Sequence, residues 1–372
     1  MTTDPKIPYD ALPLLPPAVD IETRAILKAC VGARAAVAEL KVAGQLMPDQ
    51  TVLIHMIPMQ EAKDSSAIEN IVTTNDALFR EEAQPDIDAL DPAAKEVLRY
   101  RLAIFEGVQS LKQRPLSTRT VVELCSTIKG IPLDVRATPG TTLMNSFTGE
   151  VIYTPPNGQD RLRGLLANWE NFIHAHDDID PLIKMAVQHY QFEAIHPFTD
   201  GNGRTGRLLI ILHLIQAGLL DMPTLYLSRH ILATRGDYYR LLNRVTTHGE
   251  WEPWILYMLK TVESTSHWTN QHIRAIKGLM DETTRHIRER APKSYSRELI
   301  ELIFKMPYVR IANVVGAGIA KRQTASVLLK ELVAQGVLIE EKSGRDKLYL
   351  HRKYLDLLSA DGHDFEPYAA AP

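Results

Sequence analysis

The run His196-Pro197-Phe198-Thr199-Asp200-Gly201-Asn202-Gly203-Arg204-Thr205-Gly206-Arg207 concentrates chemistry as no other stretch of the chain does. It holds a proton acceptor, a hard oxygen ligand, a glycine-rich backbone and two guanidiniums. Those are the parts needed to grip a polyphosphate and attack it. A neutral imidazole near pH 7 can take a proton from an attacking hydroxyl. Magnesium on a polyphosphate usually takes one or two protein carboxylates, so Asp200 alone is sufficient. Gly201 and Gly203 let backbone approach phosphate oxygens with no Cβ in the way. Arg204 and Arg207 can each fork onto phosphate.

These side chains must be carried by a loop between two helices. Pro197 ends the first helix, because the residue before a proline is pushed out of the α region. The second begins near Gly203 or Arg204, so the loop delivers its N–H groups to a helix N-terminus, a place that favours anions. His189, earlier on the apolar helix, reads as structural.

The surrounding chain is mainly helical. Apolar periodicity and turn residues predict helices at about 20–44, 49–70, 75–82, 92–111, 117–129, 161–176, 181–195, 204–217, 228–247 and 252–290. Asp180-Pro181 is a good start signal. Residues 1–18 are proline-rich and read as an extended arm. Thr138–Gly158 differs: turn signals flank Glu150-Val151-Ile152-Tyr153-Thr154, predicting a β-hairpin over 141–156.

The chain has 372 residues and a net charge of −3, enough for two or three domains and no overall nucleic-acid binder. Cys30 and Cys125 lack metal spacing and are too few for a disulfide framework, which points to a reducing cytoplasm. The most apolar run, Leu208 to Leu220, is shorter than a bilayer span of roughly 20 residues, so no membrane partner is expected.

The motif is identified as that of the Fic family, His-Pro-Phe-x-Asp-Gly-Asn-Gly-Arg-x-x-Arg, and the likeness extends over about residues 10–260. The resemblance implies transfer of AMP from ATP to a protein hydroxyl, with pyrophosphate leaving. By position it makes His196 the general base and Asp200 the Mg²⁺ ligand. Gly201, Asn202, Gly203, Arg204, Thr205, Gly206 and Arg207 then line the ATP site. Phosphorylating relatives tend to carry lysine at Gly203, so its absence favours AMP transfer. Ser65-Ser66-Ala67-Ile68-Glu69-Asn70 resembles the family's inhibitory signature, Ser/Thr-x-x-x-Glu-Gly/Asn. The implied brake has Glu69, supported by Ser65 and Asn70, pairing with Arg207 where the γ-phosphate belongs. Hairpin residues Val151, Ile152 and Tyr153 match the place of the family's target-binding flap. Tyr238-Tyr239 resembles its Tyr pair near adenine. Relatives often form dimers.

Beyond Ala291-Pro292 the composition shifts. Residues 291–355 carry twelve Lys and Arg against six acids, +6 there and −9 for the remainder. Helices at 295–305, 308–315 and 320–335 and a hairpin around 343–346 resemble a winged helix-turn-helix. Lys321, Arg322, Gln323, Thr324 and Ser326 would then meet base edges, and Lys342, Arg345 and Lys347 phosphates.

The fold expected is thus mainly α: a helical Fic fold with a β-hairpin flap and a C-terminal winged helix. The expected domains are 1–110 with the inhibitory helix, 111–290 as catalytic core and 291–372 as winged helix and tail. The function expected is Mg²⁺-dependent protein adenylyltransferase, acting on an unidentified protein and on itself, with removal of AMP as a further capability. The alternative is a DNA-binding regulator whose core senses nucleotide.

Overall fold

The computed structural model describes residues 4–45, 47–82, 91–144, 148–343 and 346–368. Its helices are α1 (Arg24–Gln45), α2 (Thr51–Ile68), α3 (Asn75–Glu82), α4 (Pro92–Leu111), α5 (Thr118–Lys129), α6 (Gln159–His174), α7 (Pro181–Ile195), α8 (Asn202–Gln216), α9 (Leu227–Ala233), α10 (Arg235–His248) and α11 (Trp251–Arg290). After them come α12 (Arg297–Lys305), α13 (Ile311–Gly316), α14 (Arg322–Ala334) and α15 (Arg352–Ser359). The strands are β1 (Leu143–Met144), β2 (Val151–Tyr153), β3 (Tyr308–Val309), β4 (Ile339–Ser343) and β5 (Asp346–Leu350).

Local signals fix the helix ends. Asp91 accepts from the amides of Ala93 and Ala94, with Pro92 as the first helical residue of α4. Ser117 caps α5, and Gly130, at φ 69°, stops it. Asp180 and Pro181 start α7 in the same way as α4. Along α1, Ile26, Cys30, Ala33, Val37 and Leu40 recur at helical spacing and are buried, and this face packs along α11.

At the centre lie α7 and α8, buried on nearly every side. Helices α2, α4 and α5 cover α8, and α6 and α11 cover α7. The N-terminal arm is docked: Leu12 and Leu15 are buried, Tyr9 N–H donates to the Thr154 carbonyl at 2.9 Å, and Asn168 bonds the Leu15 backbone in both directions. The flap is small. Leu143 pairs with Tyr153 and Met144 with Val151, antiparallel, so the ladder is narrower than the predicted 141–156. Asn145, part of the expected flap pattern, lies outside the described residues.

Two expectations need correction. The predicted helix 228–247 is two helices, α9 and α10, meeting at Thr234, whose φ of −119° is not helical. The predicted helix 308–315 opens as strand β3, because Tyr308 and Val309 pair with Leu350 and Tyr349. Helix α15 was not anticipated; it buries Tyr354, Leu355, Leu357 and Leu358. From α12 the order is helix, strand, two helices and a hairpin, with sheet order β3-β5-β4, which is winged-helix order. Gly344 and Arg345, part of the expected hairpin turn, lie outside the described residues.

The C-terminal module is fastened to α2 and α3. The carbonyl of Leu358 accepts from Gln60 at 2.8 Å and from Asn75 at 2.9 Å. Arg80 reaches the Tyr308 hydroxyl and Glu341, both at 2.9 Å.

Candidate active site

Helix α7 ends at Ile195, and His196 follows in the left-handed region at φ 49° and ψ 61°. A histidine adopts that conformation at a cost, so something must hold it. Arg136 does so. Its Nε–H donates to the His196 carbonyl at 2.8 Å, its Nη2 to the Pro156 carbonyl at 2.6 Å, and its own backbone N–H to the Pro197 carbonyl at 2.9 Å. One guanidinium therefore joins the loop after α7 to the residues that follow β2. The Tyr153 hydroxyl adds a second tie, donating to the Ala194 carbonyl at 2.8 Å. Burial, reinforced by the charge of Arg136, lowers the His196 imidazole to about 4. At neutral pH the ring is uncharged and able to accept a proton.

The loop after His196 is closed by Asn202. Its Oδ1 accepts from Phe198 N–H at 2.9 Å and its Nδ2 donates to the Phe198 carbonyl at 2.8 Å. The Asn202 side chain thus shapes the loop, leaving its backbone N–H in the first turn of α8. Gly201, at φ 86°, takes the position before that turn and needs to be glycine. Asp200 projects outward. Gly201 N–H donates to its Oδ1 at 2.6 Å, and Lys129 Nζ lies 2.5 Å from its Oδ2. Burial opposes charge on this carboxyl, but the Lys129 ammonium outweighs it and holds the group below the ordinary range.

Both arginines of the motif are occupied. Arg204 is buried and donates to Glu96 at 3.1 Å. Arg207 is buried, and α2 supplies its partners: Nε donates to Ser65 Oγ, and Nη2 to the Ser65 carbonyl and to Glu69 Oε1, each at 2.9 Å. The Glu69 carboxylate also lies directly on Gly203, where an added Cβ would overlap Oε1. A carboxylate therefore fills the first turn of α8, where an anion is favoured. Asn70 follows at φ 64° and accepts from Arg235 at 3.0 Å. Only glycine and short polar residues enter that region readily, which explains an asparagine after Glu69.

Thr205 and Gly206 are buried behind this surface. Against Gly206 packs Glu193, a residue the sequence reading passed over. Its Oε1 has no hydrogen-bond partner among the described residues, and burial raises its carboxyl to about 8, favouring the protonated form. The tyrosine pair divides. Tyr238 is buried and its hydroxyl meets His189 Nε2 at 2.9 Å. Tyr239 stands edge-on to it and is 39% exposed, so it alone presents a ring to solvent. His189 is held neutral, lowered to about 3 by burial and then by Arg207, in keeping with a structural role.

On the hairpin, Val151 and Tyr153 are half-buried, and Ile152 and Met144 are exposed. Sequence reasoning also missed Arg136, Lys129 and Glu96, which lie far from the motif in sequence and carry no local signal.

Three family models match the chain: Fic/DOC family N-terminal over residues 27–109, Fic/DOC family over 115–214, and the C-terminal domain of SoFic-like protein adenylyltransferases over 279–354. Protein adenylyltransferase fic-1 of Caenorhabditis elegans is 37% identical over 103 residues, 28% of this chain and 18% of that protein. Protein adenylyltransferase Fic of Nematostella vectensis is 39% identical over 87 residues, 23% of this chain and 19% of that protein. The chain thus spans about a fifth of the length of these curated relatives. A Fic family protein from Desulfovibrio desulfuricans G20 shares the fold at a TM-score of 0.56 and 19% identity, covering 90% of this chain and 98% of that one.

Proposed function

We propose that this chain, which belongs to the Fic/DOC family, is a protein adenylyltransferase held in an inhibited state by its own Glu69. The observation that carries this reading is the Glu69 carboxylate seated on Gly203 and paired with Arg207 at 2.9 Å. The γ-phosphate of a productively bound ATP would need the same guanidinium and the same helix N-terminus.

With Glu69 withdrawn, Arg207 and the first-turn amides of α8 receive the phosphate tail. His196 takes the proton of a target Ser, Thr or Tyr hydroxyl. The oxygen then attacks the α-phosphorus, and the bond to pyrophosphate breaks. Positioning and charge neutralisation supply most of the acceleration in such a transfer. Asp200 fits a nucleotide-borne Mg²⁺: its side chain is 64% exposed, and among the described residues no cluster of three or more metal-ligating side chains forms a site of its own. When bound, the ion would offset charge developing on the pyrophosphate. Tyr239 offers a face to adenine, with Tyr238 buttressing it from below. Val151, Ile152 and Tyr153 would hold the target segment by strand pairing.

The test is mass spectrometry of Glu69→Gly, wild type and Glu69→Gly/His196→Ala, each incubated with ATP and Mg²⁺. An AMP-sized adduct on the first, little on the second and none on the third is the expected pattern. Equal labelling of wild type and Glu69→Gly would remove the brake from the reading.

Finer assignments belong to the same proposal. We divide the chain into an inhibitory region (1–110), a catalytic core (111–290) and a winged-helix module with its tail (291–372). Partners are ATP, an unidentified target, the chain itself and, by family likeness, a second copy. Hydrolytic removal of AMP, in which Glu69 orients a water that attacks the phosphorus and the protein hydroxyl leaves, is a further capability of the same site. A cytoplasmic setting rests on two free buried cysteines, and no helix among the described residues is long and apolar enough to cross a membrane. Lys321, Arg322, Gln323 and Thr324 form an exposed face at the start of α14, where a DNA duplex would dock. A gel shift that weakens as salt rises would support that role. None of the comparisons favours a DNA-binding regulator over the enzyme.

A further inference from the structure

The metal-facing end of the site holds a cation of the protein's own. Lys129 ends α5. Its aliphatic stem runs past Gly201, where an added Cβ would stand 3.4 Å from both Cγ and Cδ. Its ammonium reaches Asp200 Oδ2 at 2.5 Å and Glu96 Oε1 at 3.2 Å. With Gly201 N–H on Oδ1, both oxygens of the Asp200 carboxylate are engaged. Glu96 bridges onward, accepting from Arg204 through its other oxygen at 3.1 Å. The Lys129 side chain is 18% exposed, whereas that of Asp200 is 64% exposed and so open to an incoming ion.

We propose that Lys129 is an internal stand-in for the divalent cation, seated on the metal carboxylate in the resting protein and shed onto Glu96 when nucleotide-borne metal arrives. The inference rests on Asp200 being the metal ligand, as proposed above. The resting site is then closed at both ends by groups of opposite sign: the carboxylate of Glu69 occupies the phosphate position and the ammonium of Lys129 the metal position. Lysine suits the task. Its ammonium is a compact point charge on a flexible stem, able to turn between two carboxylates. Glu96, already within reach, is the place to which it retreats.

The test is Mn²⁺ affinity, read from the electron paramagnetic resonance signal of free Mn²⁺ in the presence of α,β-methylene ATP, which cannot transfer AMP. The full chain is used in the Glu69→Gly background, so that the nucleotide has room. Lys129→Gln should tighten Mn²⁺ binding roughly threefold to tenfold, the scale of a partly exposed, charge-assisted pair. Lys129→Arg should stay near the parent. Glu96→Gln, which removes the retreat, should weaken binding. Lys112→Gln, an exposed lysine elsewhere, should change nothing. Unchanged or weaker Mn²⁺ affinity in Lys129→Gln, with binding still abolished by Asp200→Asn, would overturn the proposal and leave the Asp200 assignment standing. Mn²⁺ binding that survives Asp200→Asn would instead remove the Asp200 assignment itself, and this proposal with it.

Discussion

Arg136 donates its Nε–H to the main-chain oxygen of His196 at 2.8 Å, so a residue 60 positions upstream fixes the backbone of the proposed base. The same guanidinium holds Pro156 at the foot of the flap. Base and flap therefore keep their spacing through this guanidinium together with the Tyr153–Ala194 bond. Arg136→Met would leave two carbonyls in the protein interior without their donor. We expect kcat to fall at least tenfold with the ATP KM little changed, and stability to drop by about 2–4 kcal/mol. Arg136→Lys should recover part of the stability and less of the rate, since an ammonium cannot serve both carbonyls with the same fork. Steady-state kinetics and denaturant titration of both variants check this.

The His196 imidazole is lowered to about 4 by burial and Arg136. Its neutral form is favoured in the folded chain, so this group contributes stability above the unfolded value of about 6.5 and loses it as pH falls toward 4. Resonances of the ring in the resting protein should stay in the neutral position down to about pH 5. Glu69 favours the protonated ring, so Glu69→Gly should move the midpoint lower still, and Arg136→Met should raise it. A midpoint near the ordinary value in wild type would contradict the buried, Arg136-backed ring.

Ser65 offers Arg207 two acceptors, Oγ and the main-chain oxygen. Ser65→Ala removes the first and leaves the second together with Glu69. One hydrogen bond to a charged group is worth about 1.5–3 kcal/mol, but two partners remain to hold the guanidinium. Basal labelling from α-³²P-ATP should rise by a smaller factor than in Glu69→Gly. Labelling that matched Glu69→Gly would mean that Ser65, rather than the carboxylate, sets the brake.

Two glycines of α8 have different reasons to lack a Cβ. At Gly206 the added carbon would overlap the half-buried Glu193 and crowd Phe192, which is in the core, at 3.1 Å. Gly206→Ala should cost about 1–3 kcal/mol through overpacking and lower the melting temperature. At Gly203 the added carbon meets Glu69, which sits at the end of α2 with its side chain 34% exposed. Gly203→Ala should therefore melt closer to wild type while dislodging Glu69, visible as faster hydrogen exchange at 69–71. Calorimetry and exchange on the pair separate the two effects.

The Leu358 carbonyl gathers donors from Gln60 and Asn75, tying α15 to α2 and to the start of α3. Asn75→Ala leaves one donor in place and should cost about 1 kcal/mol. Because Gln60 lies on α2 and Glu69 caps its end, loosening this anchor should raise basal AMP transfer modestly, and labelling assays on Asn75→Ala read it directly.

Much of this protein is written in short stretches of sequence. The motif 196–207 announces an anion-binding turn because a proline, a left-handed glycine and a following helix are local facts. The same holds for the caps at Asp91, Ser117 and Asp180 and for the α1 stripe, whereas Ser65, Glu69 and Asn70 are legible only through their likeness to the family's inhibitory signature. Local reading failed where long-range contacts decide. Tyr308-Val309 becomes strand because β5, some forty residues on, offers a partner. The helix predicted over 228–247 breaks at Thr234, while the nearby Gly236 lies inside α10 rather than at the break. Only the fold brings Lys129 and Glu96 to Asp200, Arg136 to His196, and the C-terminal module to α2. Such pairings depend on how helices cross, and no periodicity within a single segment encodes the crossing.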